Sequence, residues 1–270
     1  MAKIIVDDRF VNVEQWHEGA KTTLVVLHGF TGTAKSWEGL ANLLPDVHVV
    51  AIDLIGHGES DKPIDPKLYE MDVQLQLLHA TFQQLNLEKF YLLGYSMGGR
   101  IALSYATRYK EQIVKLLLES ASPGLKIEEE RMARIVSDEA LAQFIEEKGI
   151  EAFVDKWENI PLFATQKLLP FETQQAIHIE RLSQSPTGLA NSLRGIGTGK
   201  MPSLWNVLET LPMHVHLLVG TLDKKFVGIA AKMQKQLENT QITQFDGCGH
   251  TIHVENLTQF ATIVKESISN

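Results

Sequence analysis

Cysteine is nearly absent from this chain of 270 residues, in which Cys248 is the only one. A single thiol excludes an internal disulfide and any zinc site built from several thiolates. Long apolar runs are missing too, since no uncharged stretch approaches the roughly 20 residues of a membrane span. Charge appears at Lys3 and Asp7, before the apolar core of a signal peptide has formed. We therefore expect a cytoplasmic protein without a membrane partner.

Positive charge is also in deficit. The chain has 25 Lys and Arg residues against 33 Asp and Glu residues, which gives a net charge of −8. This balance disfavours nucleic acid as a partner, and at face value it disfavours an anionic substrate as well. Hydrophobic residues make up 44% and charged residues 21%, an ordinary globular composition. The length allows one large domain or two small ones.

Short apolar runs alternate with segments of helical periodicity. The runs typical of buried strands are 23–27, 47–52, 90–93, 114–118, 215–219 and 242–245. The helical segments include 73–85, 101–106 and 260–264. This alternation predicts an α/β fold with a mainly parallel sheet and helices on both faces.

The stretch from about 122 to 204 has no strand-like run and several helical patterns. Asp138 is predicted to cap a helix that Gly149 ends, and prolines at 161, 170, 186 and 202 interrupt the rest of the stretch. An insertion of helices between two strands predicts a lid over the carboxyl ends of the strands. We expect one domain, 1–270, with this helical lid inserted in it.

A nucleophile turn is indicated by Gly94-Tyr95-Ser96-Met97-Gly98, which lies after one predicted strand and opens a helix. The Gly-x-Ser-x-Gly pattern in this setting exposes a serine hydroxyl on a sharp turn, where bulkier neighbours than glycine would clash. Ser96 is therefore the candidate nucleophile or base. The backbone N–H groups of Phe30 and Met97 are the predicted oxyanion hole, because His28-Gly29-Phe30 comes directly after the first long strand.

The base and its orienting acid are expected in the chain order Ser, Asp, His. Asp223 comes after the strand 215–219, and His250 lies between glycine and threonine after the strand 242–245. Asp246 and His253 are the competitors for these two roles. Cys248 lacks a base and an oxyanion turn of its own, so we interpret it as a packing residue. No metal-ligand spacing or phosphate-binding glycine pattern occurs, so no metal and no cofactor is expected.

Longer motifs carry a closer resemblance. The turn at Asp53-Leu54-Ile55-Gly56-His57-Gly58-Glu59-Ser60 resembles one in the α/β-hydrolase superfamily, with Ile55 where proline is usual, and we interpret it as structural. The segments 94–100, 220–226 and 249–256 resemble the menaquinone-pathway 2-succinyl-6-hydroxy-2,4-cyclohexadiene-1-carboxylate synthases. Lid motifs around 122–125, 134–138, 157–163 and 188–195 agree, so the resemblance covers nearly the whole chain.

The resemblance implies a lyase of the α/β-hydrolase fold that removes pyruvate from a cyclic tricarboxylate. Ser96, Asp223 and His250 would then abstract a ring proton. Arg100 lies at i+4 from Ser96, which places it near the same pocket. By resemblance, the substrate-binding residues are Arg100, Arg134, Arg181, Tyr95 and Trp157. Lys224 also matches the family, although a solvated lysine explains that position nearly as well.

Two other functions are compatible with the same residues. A serine esterase or carbon–carbon bond hydrolase would use the same triad, and a silent binding protein would use only the fold. Three guanidinium groups favour an anionic substrate over the neutral acyl group of an ester. A binding protein has no need of Ser96, Asp223, His250 and the glycine turn together. The oligomeric state is left open.

Overall fold

The computed structural model describes residues 2–269, which form one eight-stranded sheet with helices on both faces. The strands are β1 (Ala2–Val6), β2 (Arg9–Trp16), β3 (Thr22–Leu27), β4 (Val47–Ile52), β5 (Phe90–Tyr95), β6 (Ile113–Glu119), β7 (His214–Gly220) and β8 (Thr240–Phe245). Their order across the sheet is β1-β2-β4-β3-β5-β6-β7-β8. The pairs from β4 through β8 are parallel, which confirms the predicted fold class.

From β3 onward, one or more helices connect each strand to the next. The helices are α1 (Glu38–Asn42), α2 (Met71–Gln84), α3 (Met97–Arg108), α4 (Glu128–Trp157), α5 (Phe171–Leu182), α6 (Pro186–Ile196), α7 (Lys224–Gln234), α8 (Ile252–Glu255) and α9 (Leu257–Ser269). A 3-10 helix, Pro161–Leu168, joins α4 to α5. None of the helices within residues 2–269 is long and apolar enough to cross a membrane.

Both faces of the sheet are covered, as the continuous apolar runs predict. Alternate residues of β3 enter different apolar clusters, with Leu24 and Val26 in one and Val25 and Leu27 in the other. The first cluster includes residues of α1 and α9, and the second includes residues of α2 and α3. Each such buried aliphatic side chain stabilises the fold by about 1.5–3 kcal/mol. This double core fixes the carboxyl ends of the parallel strands, where the site lies.

The strands β1 and β2 are absent from the sequence-based prediction. They form an antiparallel hairpin, and β2 also pairs antiparallel with β4. The hairpin turn consists of Asp7 and Asp8, both with positive φ (47° and 59°). This turn lacks the Asn-Gly or Asp-Gly signal by which a hairpin is usually recognised in a sequence.

Residues 120–213, between β6 and β7, are here called the helical insertion. Its first helix begins at Glu128, so the prediction that Asp138 caps a helix is wrong. Three glutamates in the first turn favour the earlier start, because they complement the helix dipole. Asp138 is tolerated inside the helix because its Oδ1 accepts a hydrogen bond from Arg134 Nε at 2.7 Å. Gly149 does interrupt the helix, with φ 81° and ψ 177°, a conformation that favours glycine.

Aromatic side chains pack the helical insertion against the loop that follows β3. Phe153 and Leu189 belong to a small apolar core of the insertion's own. Phe30, in the loop after β3, packs edge-on against Phe153 and Trp157, with ring centroids 6.2 and 5.4 Å apart. The insertion therefore lies over the carboxyl ends of the strands.

Three buried histidines link stability to pH. Burial lowers the pKa of His28 and His57 below the ordinary 6.5, and it lowers the pKa of His216 to about 4. The contacts of the folded protein favour the neutral imidazole. For example, the Leu54 N–H donates to His28 Nε2 at 3.0 Å, which requires that nitrogen to be unprotonated. Between pH 6.5 and about 4, His216 is protonated in the unfolded chain but stays neutral in the folded protein. This contribution to stability is complete above pH 6.5 and is lost as the pH falls through that interval.

We expect a lower free energy of unfolding at about pH 5 than at about pH 7.5, as measured by urea denaturation. Replacing His216 by Gln should make the difference between the two pH values smaller, because one of the three imidazoles is removed. Equal values for the wild-type protein at both pH values would contradict this account.

Candidate active site

Ser96 stands at the junction of β5 and α3 in a strained backbone conformation, with φ 50° and ψ −105°. The turn is possible because Gly98 packs directly on the end of β3. A Cβ atom at Gly98 would collide with the carbonyl oxygens of Leu27 and His28. The chain therefore places the Ser96 hydroxyl at the N-terminus of α3, where the helix dipole stabilises developing negative charge.

Ser96, His250 and Asp223 form a hydrogen-bonded triad. The Ser96 hydroxyl lies 3.0 Å from His250 Nε2, and His250 Nδ1 lies 2.6 Å from Asp223 Oδ2. In the tautomer that fits, the Nδ1–H donates to Asp223 and the Ser96 O–H donates to Nε2. His250 and Asp223 are 2% and 8% exposed, so water competes little for these bonds. This geometry allows His250 to accept the proton of Ser96 while Asp223 orients the ring.

The competing residues are engaged elsewhere. His253 Nδ1 lies 2.9 Å from both carboxylate oxygens of Glu119, and its ring stacks on Trp37. Asp246 accepts a hydrogen bond from Thr221 Oγ1 at 3.3 Å on an exposed loop. The structure thus unites the three residues that the chain order Ser, Asp, His indicates.

A cavity of about 590 Å³ opens beside the triad, between the sheet and the helical insertion. Ser96, His250, Phe30, Met97 and Tyr95 line it together with Trp157. As the first residue of α3, Met97 has a backbone N–H without a partner inside the helix. The two residues predicted to form the oxyanion hole thus border the same space as the serine hydroxyl.

Arg100 and Arg134 also line this cavity. Arg100 Nη1 donates to the carbonyl oxygen of Ile196 at 2.6 Å. Burial lowers the pKa of Arg100 to about 10, the neighbouring charge of Arg134 contributes to the lowering, and Asp138 opposes it. Arg134 is 39% exposed and paired with Asp138. Two cations around one acid carry a net positive charge, which favours the binding of an anion.

Arg181 lies outside the main cavity. It is 5% exposed, lies 3.3 Å from Glu158 Oε1 and donates through Nη2 to Gln166 Oε1 at 2.9 Å. Its guanidinium also lies 4.7 Å from the centre of the Phe163 ring. It lines a separate small cavity of about 60 Å³ that shares Phe30, Tyr95 and Phe163 with the main one. The structure brings Tyr95 and Trp157 to the triad cavity but not Arg181.

Four lysines at the cavity are absent from the sequence-based prediction. Lys126, Lys225, Lys232 and Lys235 line the cavity, and all four side chains are exposed at its mouth. Three of them follow Asp223 in the chain: Lys232 and Lys235 come 7 and 10 residues after Lys225, a spacing that places the three along one helix face. That spacing is the feature of the sequence from which these lysines could have been predicted. Lys224, which the family resemblance suggested, is exposed at the first residue of α7 and is not among the residues that line the cavity.

The remaining polar candidates have structural roles. Asp53 accepts hydrogen bonds from Asn12 Nδ2 at 2.9 Å and from the backbone N–H groups of Ala34 and Glu59 at 2.6 and 2.8 Å, as a structural turn requires. Cys248 is buried, and burial raises the pKa of its thiol to about 11, so it is not a thiolate near neutral pH. Among residues 2–269 no three His, Cys, Asp or Glu side chains are grouped as a metal site.

Comparison with known proteins gives the family of the fold. A family model described as the alpha/beta hydrolase fold matches residues 22–257. Fold and site together define an α/β hydrolase by class.

More specific matches lie within that class. A Bacillus subtilis (strain 168) protein that bears the name of a putative 2-succinyl-6-hydroxy-2,4-cyclohexadiene-1-carboxylate synthase is 45% identical over 93% of this chain and 92% of its own. The synthase of that name from Photorhabdus laumondii subsp. laumondii is 33% identical over 91% of this chain and 85% of its own. The solved structure of MenH from S. aureus has a TM-score of 0.91 and 38% identity, and covers 96% of this chain and 99% of that chain. The chain therefore belongs to the 2-succinyl-6-hydroxy-2,4-cyclohexadiene-1-carboxylate synthase family.

Proposed function

We propose that this protein eliminates pyruvate from 2-succinyl-5-enolpyruvyl-6-hydroxy-3-cyclohexene-1-carboxylate, a step in menaquinone biosynthesis. The observation that carries the proposal is the charge of the triad cavity. Within residues 2–269, six lysine and arginine side chains line it, against a single acidic residue, Glu130. The proposed substrate has three carboxylates, which such a cavity complements. A pocket for the neutral acyl group of an ester has no use for this charge.

The triad supplies the base in this proposal. The Ser96–His250 pair removes the ring proton next to the succinyl ketone, and Asp223 stabilises the imidazolium that forms. The electrons of the broken C–H bond form the enolate of that ketone. The backbone N–H groups of Phe30 and Met97 hold the enolate oxygen as they would hold a tetrahedral oxyanion. Neither attack by water nor an acyl-enzyme is required.

The second half of the elimination expels the leaving group. Collapse of the enolate re-forms the ketone and makes a C2–C3 double bond, while the existing C3–C4 double bond moves to C4–C5 and the bond between C5 and the enolpyruvyl oxygen breaks. Pyruvate leaves as its enolate and takes up a proton. Arg100 and Arg134 hold carboxylates of the substrate, and Tyr95 and Trp157 pack against it. Direct binding by Arg181 stays a prediction, since the residue would have to exchange Glu158 for a substrate carboxylate.

The test is a continuous assay of pyruvate release from the enolpyruvyl substrate, coupled to lactate dehydrogenase. Hydrolysis of nitrophenyl esters by the same preparation is the comparison. The proposal predicts efficient pyruvate release and weak ester hydrolysis. Efficient ester turnover with no pyruvate would favour the esterase instead.

Ionic strength gives a further prediction. The exposed lysines at the mouth of the cavity should attract the tricarboxylate from solution, and salt screens such attraction. We expect kcat/KM to fall with added salt, and the triple variant K225Q/K232Q/K235Q to show a flatter dependence. Variants at the same number of distant exposed lysines, K89Q/K148Q/K265Q, are the control. Identical salt dependence in both triple variants would contradict this role.

We propose that the helical insertion acts as the lid of one domain spanning 1–270. Three expectations stay predictions: that the protein is cytoplasmic, that it uses no cofactor, and that it has no nucleic-acid or membrane partner.

A further inference from the structure

Glu255, the last residue of α8, binds the backbone on both sides of His250. Its Oε2 accepts a hydrogen bond from the Gly249 N–H at 2.5 Å, and its Oε1 accepts one from the Thr251 N–H at 3.1 Å. Hydrogen bonds to an ionised carboxylate are stronger than those between neutral groups. One carboxylate therefore accepts hydrogen bonds from the two backbone amides that flank His250.

The same carboxylate reaches the helical insertion. Thr165 Oγ1, on the 3-10 helix Pro161–Leu168, donates to Glu255 Oε1 at 3.0 Å. The contact is close, because a Cβ atom at Gly249 would collide with the Thr165 side chain. The insertion and the His250 loop thus share Glu255 as a common partner.

A second link joins the same two segments. Gln166 Nε2, next to Thr165, donates to Thr251 Oγ1 at 2.9 Å. Thr251 Oγ1 also lies 3.0 Å from the hydroxyl of Tyr95, the residue before the serine. Consecutive residues of the insertion therefore contact the loop that carries His250, and one of these contacts continues to the nucleophile turn.

We propose that Glu255 is a positioning residue through which the helical insertion sets the orientation of His250. When Thr165 donates to Glu255, the carboxylate has three hydrogen-bond donors, from Thr165, Gly249 and Thr251. It then holds the His250 loop so that His250 Nε2 lies 3.0 Å from Ser96 Oγ. When the insertion moves away, Glu255 loses one of its three donors and the His250 loop gains freedom. The base is then assembled fully only with the insertion in place. The inference rests on the proposed function insofar as proton abstraction by the Ser96–His250 pair limits the rate.

The experiment compares Thr165→Val, Thr165→Ser and Glu255→Gln with the wild-type protein in the pyruvate-release assay. Valine keeps the volume of threonine and removes the donor, whereas serine keeps the donor. We expect T165V to lower kcat by about 3- to 10-fold and E255Q by roughly 10- to 100-fold, with KM changed less than about twofold. T165S should retain kcat near the wild-type value. The matched controls T262V and E238Q replace exposed residues of the same types and should leave kcat unchanged.

Two further readouts separate positioning from a merely structural role. Because Thr165 acts through Glu255, the double variant T165V/E255Q should be no slower than E255Q alone. The low-field NMR signal of the His250 Nδ1–H should shift in T165V and stay in place in T165S and T262V. If E255Q fails to fold, the comparison of T165V with T165S in kcat and in the His250 signal still tests the positioning role.

The outcomes are distinct. A wild-type protein that releases no pyruvate defeats the proposed function, whatever the variants do. A wild-type protein that releases pyruvate, with T165V equal to it in kcat and in the His250 signal, overturns the positioning role. Multiplying losses in the double variant overturn the coupling through Glu255.

Discussion

Replacing Ser96 by Ala lowers kcat for pyruvate release by roughly 10³-fold, the size of effect expected when a coupled acid–base group is lost. The reason is that Ser96 lies 3.0 Å from His250 Nε2, so both belong to one proton-transfer unit. His250→Ala should have a similar effect, and S96A/H250A should be little worse than either single variant. Steady-state kinetics with the coupled assay measures all three.

The control for this prediction is Ser137→Ala, at an exposed serine of α4. It should match the wild-type protein in rate and in melting temperature. S96A should also unfold no more easily than the wild-type protein, since its backbone strain is set by the turn and not by the hydroxyl. A near-normal kcat in S96A would show that His250 acts without it. Near-normal kcat in H250A would remove the triad from the mechanism.

Replacing Arg100 by Gln lowers kcat/KM on the order of 10²-fold, because a half-buried guanidinium that pairs with a substrate carboxylate is lost. Arg100 lies four residues after Ser96 on α3 and lines the same cavity. Burial and the neighbouring charge of Arg134 lower the pKa of Arg100 to about 10. We therefore expect the activity of R100Q to fall much more than its stability, as compared by kinetics and by urea denaturation.

Arg108 provides the matched control, since it lies on the same helix and pairs at the surface with Asp72. R108Q should keep wild-type kcat/KM and unfold within about 1 kcal/mol of the wild-type protein, as surface ion pairs contribute little. If R100Q and R108Q have the same kcat/KM, Arg100 has no role in carboxylate binding.

The sequence carries the triad well because its signals are local. Ser96 lies in a glycine turn between a strand and a helix, and Asp223 and His250 each come after a strand. Since parallel strands place their carboxyl ends at one edge, the three residues must meet there. The central sheet is predictable for the same reason, because strands buried on both faces appear as plain apolar runs.

The parts that were not predicted depend on tertiary contacts. Arg181 and Glu158 lie on different segments of the insertion, and nothing in the spacing between them indicates an ion pair. Asp138 resembles a helix cap, and only the earlier start of α4 and the bond to Arg134 place it inside the helix. The net charge of −8 describes the surface of the chain and conceals the positive charge of the cavity.

The most direct test of the central claim is an NMR spectrum of the complete product mixture. Elimination yields pyruvate and the cyclohexadiene in equal amounts, with the succinyl chain still attached to the ring. A carbon–carbon bond hydrolase would instead cut beside the ketone and release succinate. The account predicts one pyruvate per diene and no succinate. Succinate without pyruvate would contradict it.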